Sequence, residues 1–429
     1  MIELGELRHG DEHEPEPVPR RGAPPARTGR AVLLAVLALL TLAASAPPPA
    51  GQRYVTIAGP PEGTFRIADG RLFVIDDPTG RGGTPEVAAY PLPVGDRLWR
   101  LRLPRGQQPV DLHLAAGSLL VLTRTPESGE STATAVDPAT GRVRWRQPGY
   151  PLSARHGLLL FEVQSPAGGP AVLRGVDAAS GAQRWSRPVP AGGVGYEFGP
   201  DGIGHVVLLG PSGRVQVLDG GSGAVLRVGR MPATATTADG QQPGVFLVDG
   251  LLMVDDRAGT LTAYGLDRLD RRWSIPVESG LGQILERCGD GLCLRTGRPG
   301  LGLVDRATGR VRWRVEASGT VWPLGDRLLV AADGEQREVD LVLLDQRTGR
   351  QLGALGQWQL SWADPTRDPM IGLRRLDGGG RLVARLDVTT GRSEALDVLS
   401  GEWDGCANDR RVLVCRQPDG TLGVWRLDR

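Results

Sequence analysis

The sequence has no lysine; all 50 of its Lys and Arg residues are arginine. Against 49 Asp and Glu they leave a net charge of +1. No basic stripe stands out, which argues against nucleic acid as the main partner. With so much Ala, Gly and Pro, the missing lysine reads as codon bias, so single arginines carry little functional weight. Histidine is scarce, at five residues. His9 and His13 lie near the N-terminus, His113 alternates with apolar neighbours on a strand, and His156 and His205 fall at expected turns. No metal-ligand cluster, Gly-x-Ser-x-Gly elbow or phosphate loop is present. The Gly-rich stretch Asp219–Gly223 has no helix after it, which excludes a phosphate cradle. Helical periodicity is missing over any useful length. Asp364 to Asp368 does not have calcium-loop spacing, and carboxylates of this kind read as solvated or turn-forming.

What is present is repetition. VDPATGRVRW (136–145), VDAASGAQRW (176–185) and VDRATGRVRW (304–313) share Asp-x-x-Thr/Ser-Gly-x-x-x-Trp. The repeated positions are Asp137, Gly141 and Trp145; Asp177, Gly181 and Trp185; and Asp305, Gly309 and Trp313. Weaker copies at 219–223, 345–349 and 387–391 keep the turn and lose the Trp. Strand-forming residues precede each Asp, and a short strand follows each Gly. The motif is therefore a hairpin loop in which Asp and Thr bond the backbone and Gly supplies a positive φ. The recurrent Trp is expected to pack against a neighbouring sheet. A two-stranded unit is marginal alone and must stack on copies of itself.

The strand after each loop falls near Trp99, Trp145, Trp185, Arg227, Trp273, Trp313, Gly353 and Ala395. A period of ~40–45 residues is the signature of a propeller. Each period holds four strand candidates, and a Leu-Leu-Val type second strand recurs at 117–121, 250–254 and 326–330. These units resemble the PQQ-type, quinoprotein-like propeller repeat over residues 60–429. The whole chain, with its Ile-Glu-Leu-Gly-Glu-Leu opening (2–7), resembles actinobacterial membrane-anchored PQQ-like repeat proteins. The resemblance implies an all-β, eight-bladed propeller. Counted literally, the C-terminal strands at 403–428 make a ninth unit, with residues 53–59 as its outer strand.

The domain reading is a disordered cytoplasmic tail (1–30), a membrane anchor (31–46), a linker (47–52) and the propeller (53–429). Residues 31–46 are uncharged and almost wholly apolar. At ~1.5 Å per residue they span roughly 24 Å, between a signal-peptide core and a full span. Arginines before the segment place the N-terminus in the cytoplasm and the propeller outside. An uncleaved anchor is favoured, since Pro47 follows the Ala44-Ser45-Ala46 site; cleavage after Ser45 stays open.

The four cysteines form two local pairs, Cys288 with Cys293 and Cys406 with Cys415. Each pair flanks a turn, and the odd separations let the partners face each other across a hairpin. Disulfides in an oxidising compartment are favoured. Zinc is the rival reading, although only the first pair has zinc-like spacing.

The repeat is mainly structural, and the resemblance extends to a scaffold propeller of outer-membrane assembly that works without PQQ. The expected role is a non-catalytic scaffold binding a protein, peptide or glycan at the cell envelope, with no cofactor. Trp358 and Trp362 break the period and are candidates for a ligand face. Segments 125–132, 232–244 and 363–370 are candidate contact loops. A PQQ- and calcium-dependent dehydrogenase is the rival; its sites cannot be placed residue by residue, and a vicinal Cys-Cys pair found in some such enzymes is missing. A membrane-linked sensor is the third reading.

Overall fold

The computed structural model describes residues 54–427, apart from 60–63, 77–83, 94, 165–168, 232–243, 257–258, 278–283, 296–299, 318, 333–337 and 365–366. The chain divides into two compact units, Met1–Arg53 and Tyr54–Arg429. The tail, anchor and linker therefore lie outside the described residues, as does nearly all of candidate loop 232–244. No helix among the described residues is long and apolar enough to cross a membrane.

Short strands separated by Gly- and Asp-containing turns pair as antiparallel meanders. Four-stranded units occupy 65–102, 108–148, 150–188, 194–230, 244–276 and 284–315. The seventh and eighth share the strand Gln351–Leu360. Its first part pairs with Val339–Asp345, and Gln359 and Leu360 pair with Ile371–Arg375. The last unit takes three strands from the C-terminus, Asp404–Asn408, Val412–Arg416 and Leu422–Arg426. Its fourth is Tyr54–Ile57, in register Tyr54 to Trp425 and Ile57 to Leu422.

Nine such units exist among the described residues, the number of the literal strand count and one more than the eight that the resemblance implied. The loop motif could not count the last. Its outer strand comes from the other end of the chain, so no hairpin loop joins it to Leu422–Arg426 and no motif marks it.

The burial pattern explains the recurrent Leu-Leu-Val strands. Ser118–Val121, Leu158–Phe161, Leu251–Val254 and Leu328–Ala331 are buried at successive positions without alternation. A strand covered on both faces reads as a continuous apolar run. Each sheet is thus packed between two others. Phe73, Ile75 and Val87 meet Leu112, Leu119 and Val121 of the next unit. Leu120, Leu122 and Trp145 meet Leu159 and Phe161. Ile57, Val412, Val414 and Val424 of the last unit meet Leu72 and Val74 of the first. The first strand Phe65–Ala68 touches Gln108–Ala115 on one side and Asp404–Asn408 on the other.

Candidate functional site

The repeat motif is built for contact between units. In the second unit, Asp137 Oδ1 accepts hydrogen bonds from the backbone N–H groups of Ala139 and Thr140, at 3.0 and 2.9 Å, and from Thr140 Oγ1 at 3.0 Å. Its Oδ2 accepts from Arg144 at 2.6 Å. Gly141, at φ +73°, donates to the Asp137 carbonyl at 2.9 Å. Bare of a side chain, it lies against the ring of Trp99, where a Cβ would come within 2.7 Å.

The same contact recurs from unit to unit. Gly181 faces Trp145, Gly223 faces Trp185, Gly309 faces Trp273 and Gly349 faces Trp313. Each indole N–H then donates into the same loop. Trp99 bonds Pro138 O at 3.0 Å, Trp145 bonds Ala178 O at 2.9 Å, Trp273 bonds Arg306 O at 2.8 Å and Trp313 bonds Gln346 O at 3.1 Å. The glycine therefore does two jobs, turning the hairpin and giving the preceding Trp a flat seat. Sequence reasoning located the Trp and the loop, but not that each Trp serves the loop of the following unit. Where Trp is replaced by Arg227, its Nε bonds Asp267 O at 2.8 Å, and Leu269 takes the glycine's place at φ +57°.

The loop carboxylates titrate low. Arg144 holds Asp137 at about 2, helped by Thr140, and Arg312 with Thr308 holds Asp305 at about 2. A depressed carboxylate pKa contributes stability above its unfolded value of ~4, and that contribution is lost as the pH falls through the folded value. Denaturant midpoints should therefore fall between pH ~4 and ~2. An Arg144→Met/Arg312→Met variant should be weaker than wild type at pH 6 and converge on it near pH 2. A constant difference across this range in urea titrations would exclude the loop ion pairs as the source. The effect is small for each pair, because both lie at the surface.

Both cysteine pairs are disulfides, with Cα–Cα distances of 5.6 Å for Cys288–Cys293 and 4.1 Å for Cys406–Cys415. Neither joins residues in simple register. Cys293 pairs with Glu286, and Cys406 sits in a bulge between the Asp404–Arg416 and Ala407–Val414 pairs. All four cysteines are buried.

The two off-period tryptophans separate completely. Trp358 is only 1 % exposed. Its N–H bonds Leu355 O at 2.7 Å and its ring lies under Arg374, 4.7 Å from centroid to guanidinium carbon. It belongs to the core between the seventh and eighth units, so its expected place on a ligand face is corrected. Trp403 repeats this arrangement, with its N–H on Ser400 O at 2.8 Å. Both follow x-Gly-x-Trp with the Gly at φ +86°. That short match was the signal available in the sequence.

Trp362 is 77 % exposed. It is held by its backbone, which donates to Cys406 O at 2.8 Å and accepts from Asn408 N at 3.0 Å. Asn408 is buried; its amide bonds Pro369 O at 3.0 Å and its side-chain oxygen accepts from Ser361 Oγ. The Cys406–Cys415 bridge thus anchors the strand on which Trp362 rests. A cleft of about 830 Å³ opens beside it, lined by the first strands of the first two units, by Gly405, Ala407, Asn408 and Arg416 of the last unit, and by Ala363, Asp364 and Asp368.

The cleft carries both signs of charge. Arg66, Asp111, His113, Asp364, Asp368 and Arg416 all contribute to its lining. Burial, followed by the Arg66 charge, lowers the His113 pKa. Burial raises that of Asp368, and the neighbouring charges of Asp409 and Asp364 push the same way. His113 Nε2 stands 3.5 Å from Ser153 Oγ, outside the ~2.6–3.2 Å range of a poised base and nucleophile. The arrangement suits recognition: an exposed indole beside half-buried and exposed charges.

Residues 83–226 match the PQQ-repeat family model described as outer membrane protein assembly factor BamB. The repeat is of the quinoprotein-like type. The match covers the region in which the Trp-on-Gly contacts run from Trp99 to Gly223. Two solved structures are similar to the chain. One is BamB from Moraxella catarrhalis, at 16 % identity over 87 % of this chain and 98 % of that one, with a TM-score of 0.41. The other is the computationally designed Ika8 protein, at 14 % identity over 75 % of this chain and 97 % of that one, with a TM-score of 0.45. No curated protein matches the chain.

Proposed function

We propose that the chain is a non-catalytic β-propeller scaffold, extracytoplasmic and held at the cell membrane by residues 31–46. Its nine units are the blades of one closed ring, and its cleft binds a protein or peptide partner of the cell envelope, or a glycan, through Trp362. The observation that carries the reading is Trp362 itself: a large aromatic ring, 77 % exposed, on a disulfide-braced strand at the mouth of a cleft. Such residues are the usual anchors of recognition surfaces. Two buried disulfides support an oxidising compartment. The repeat match to an assembly factor supports a scaffold, and the contact of Phe65–Ala68 with Asp404–Asn408 supports closure.

PQQ enzymes need a calcium-held quinone. Among the described residues, no three His, Cys, Asp or Glu side chains gather into a metal-binding group. No catalytic step is derived through the cofactor.

Two measurements test the proposal on the full-length protein in detergent. Titration with PQQ and Ca²⁺ should leave the quinone spectrum unchanged and give no dye reduction with alcohols or sugars. A photo-crosslinking side chain at position 362 in living cells should give a discrete adduct with an envelope component, and one at exposed Val143 should not. Stoichiometric PQQ binding with turnover would replace the scaffold by the dehydrogenase. Identical labelling from both positions would remove the cleft from the reading.

A further inference from the structure

The outer strand of the fourth unit differs from those of the second, third, fifth and sixth; the seventh and eighth also carry a leucine at the bulge, Leu352 and Leu396, and the eighth has exposed Val398 two residues on. In the second, third, fifth and sixth units this strand carries a one-residue bulge just before the Trp, at Arg144, Arg184, Arg272 and Arg312. Each bulged arginine reaches back to an Asp of its own loop, at 2.6, 2.7, 3.0 and 2.6 Å in turn. Further arginines follow at 146, 187 and 314. Charged residues along an outer strand discourage other chains from pairing with it.

In the strand Val225–Arg230 the bulged residue is Leu226, and Val228 stands where the second unit has Arg146. Val225, Leu226 and Val228 are 46, 45 and 57 % exposed. Twelve large hydrophobic residues are exposed among the described residues, and three of them fall in this one short stretch. The strand pairs with Arg214–Asp219, and among the described residues its outer edge is unpaired. Alternate N–H and C=O groups along that edge are available to an added strand.

We propose that Val225–Arg230 is a docking edge for an extended segment of another polypeptide, apolar with interspersed Asp or Glu. The acidic character follows from charge. The strand holds Arg227 and Arg230 and no acid, and like charges across a ladder destabilise it while opposite charges stabilise it. A second copy is disfavoured for the same reason: two copies would bring four arginines into one short ladder with no acid to offset them. The edge is separate from the cleft at Trp362, and the proposal stands or falls independently of it.

The probe is a fluorescein-labelled octapeptide, Thr-Val-Glu-Val-Glu-Val-Glu-Thr, with a matched peptide carrying Lys for Glu. Anisotropy is read on the full-length protein in detergent micelles. The Glu peptide should bind saturably, and the Lys peptide at least tenfold more weakly. The Leu226→Arg/Val228→Arg variant should lose tenfold or more in affinity for the Glu peptide. It should keep the wild-type Tm, since it restores the residues of the second unit; if it does not fold, Val225→Lys serves instead. No saturable binding, equal binding by the variant, or equal binding of both peptides would overturn the proposal. So would a wild-type dimer in sedimentation that the variant abolishes, which would assign the edge to a second copy. Tighter binding after removal of residues 1–30 would also overturn it, by assigning the edge to the chain's own Ile-Glu-Leu-Gly-Glu-Leu opening.

Discussion

Replacement of Trp145 by alanine is expected to destabilise the protein by about 3–5 kcal/mol. The indole is 8 % exposed and packs among Leu159, Phe161 and Ala178 of the next unit. Its removal leaves a large void between two sheets and takes the donor from the buried carbonyl of Ala178, and an unmade bond of that kind costs about 1–3 kcal/mol by itself. The other half of the contact is expected to matter as well. Gly181→Ala adds a Cβ that would sit 2.5 Å from Trp145 Cγ, at a φ of +72°. Strain in the left-handed region costs about 1–2 kcal/mol before the clash is counted. Urea unfolding of the two single variants and the double variant separates these terms. Contacting residues should couple, so the double variant should lose less than the two single losses added together. Trp362→Ala is the control and should stay within about 0.5 kcal/mol of wild type. Equal losses at Trp145 and Trp362 would mean that unit-to-unit docking does not hold the sheets together.

The second large effect is expected at the closing strand. Tyr54–Ile57 is four residues long, yet it completes the last unit and seals its core to the first. Ile57 is 6 % exposed, and Tyr54 lies 5.6 Å from the Trp403 ring and 4.9 Å from that of Trp425. Ile57→Ala should cost about 2–5 kcal/mol. Tyr54→Ala/Ile57→Ala should cost more and leave the strand Leu422–Arg426 with an open edge, which invites aggregation. Hydrogen exchange gives the decisive readout. In the double variant, protection should fall first in 404–426 and 65–76, the units on either side of the junction, and last in units far from it such as 194–230. A uniform loss of protection would show that the closing strand adds stability without being a seam.

Much of this architecture is legible in the sequence because it is local. A loop of Asp-x-x-Thr-Gly carries its own hydrogen bonds within five residues, so Asp137, Gly141 and their copies announce the hairpin wherever they occur. The cysteines are local in the same way, each pair bridging the turn of one hairpin. The period of the Trp residues follows from the length of one meander, and that length names the propeller class.

Other features depend on residues that the sequence places far apart. The seat of Trp145 lies 33 residues ahead, at Ala178 and Gly181. The last unit takes its outer strand from the opposite end of the propeller segment, so a count of loops stops at eight. Trp358 and Trp362 are four residues apart and would share one face of a straight strand. The strand Gln351–Leu360 divides between two sheets and ends before Trp362, so one ring enters a core and the other faces solvent. The outer edge at Val225–Arg230 reads in sequence as one more degenerate repeat. By itself the sequence determined the hairpin loop, the local disulfides and the repeat, because each is held by bonds between near neighbours. Only the tertiary structure decided which unit each Trp joins, how many units close the junction and which apolar residues remain exposed, because those outcomes depend on what packs against each sheet from outside it.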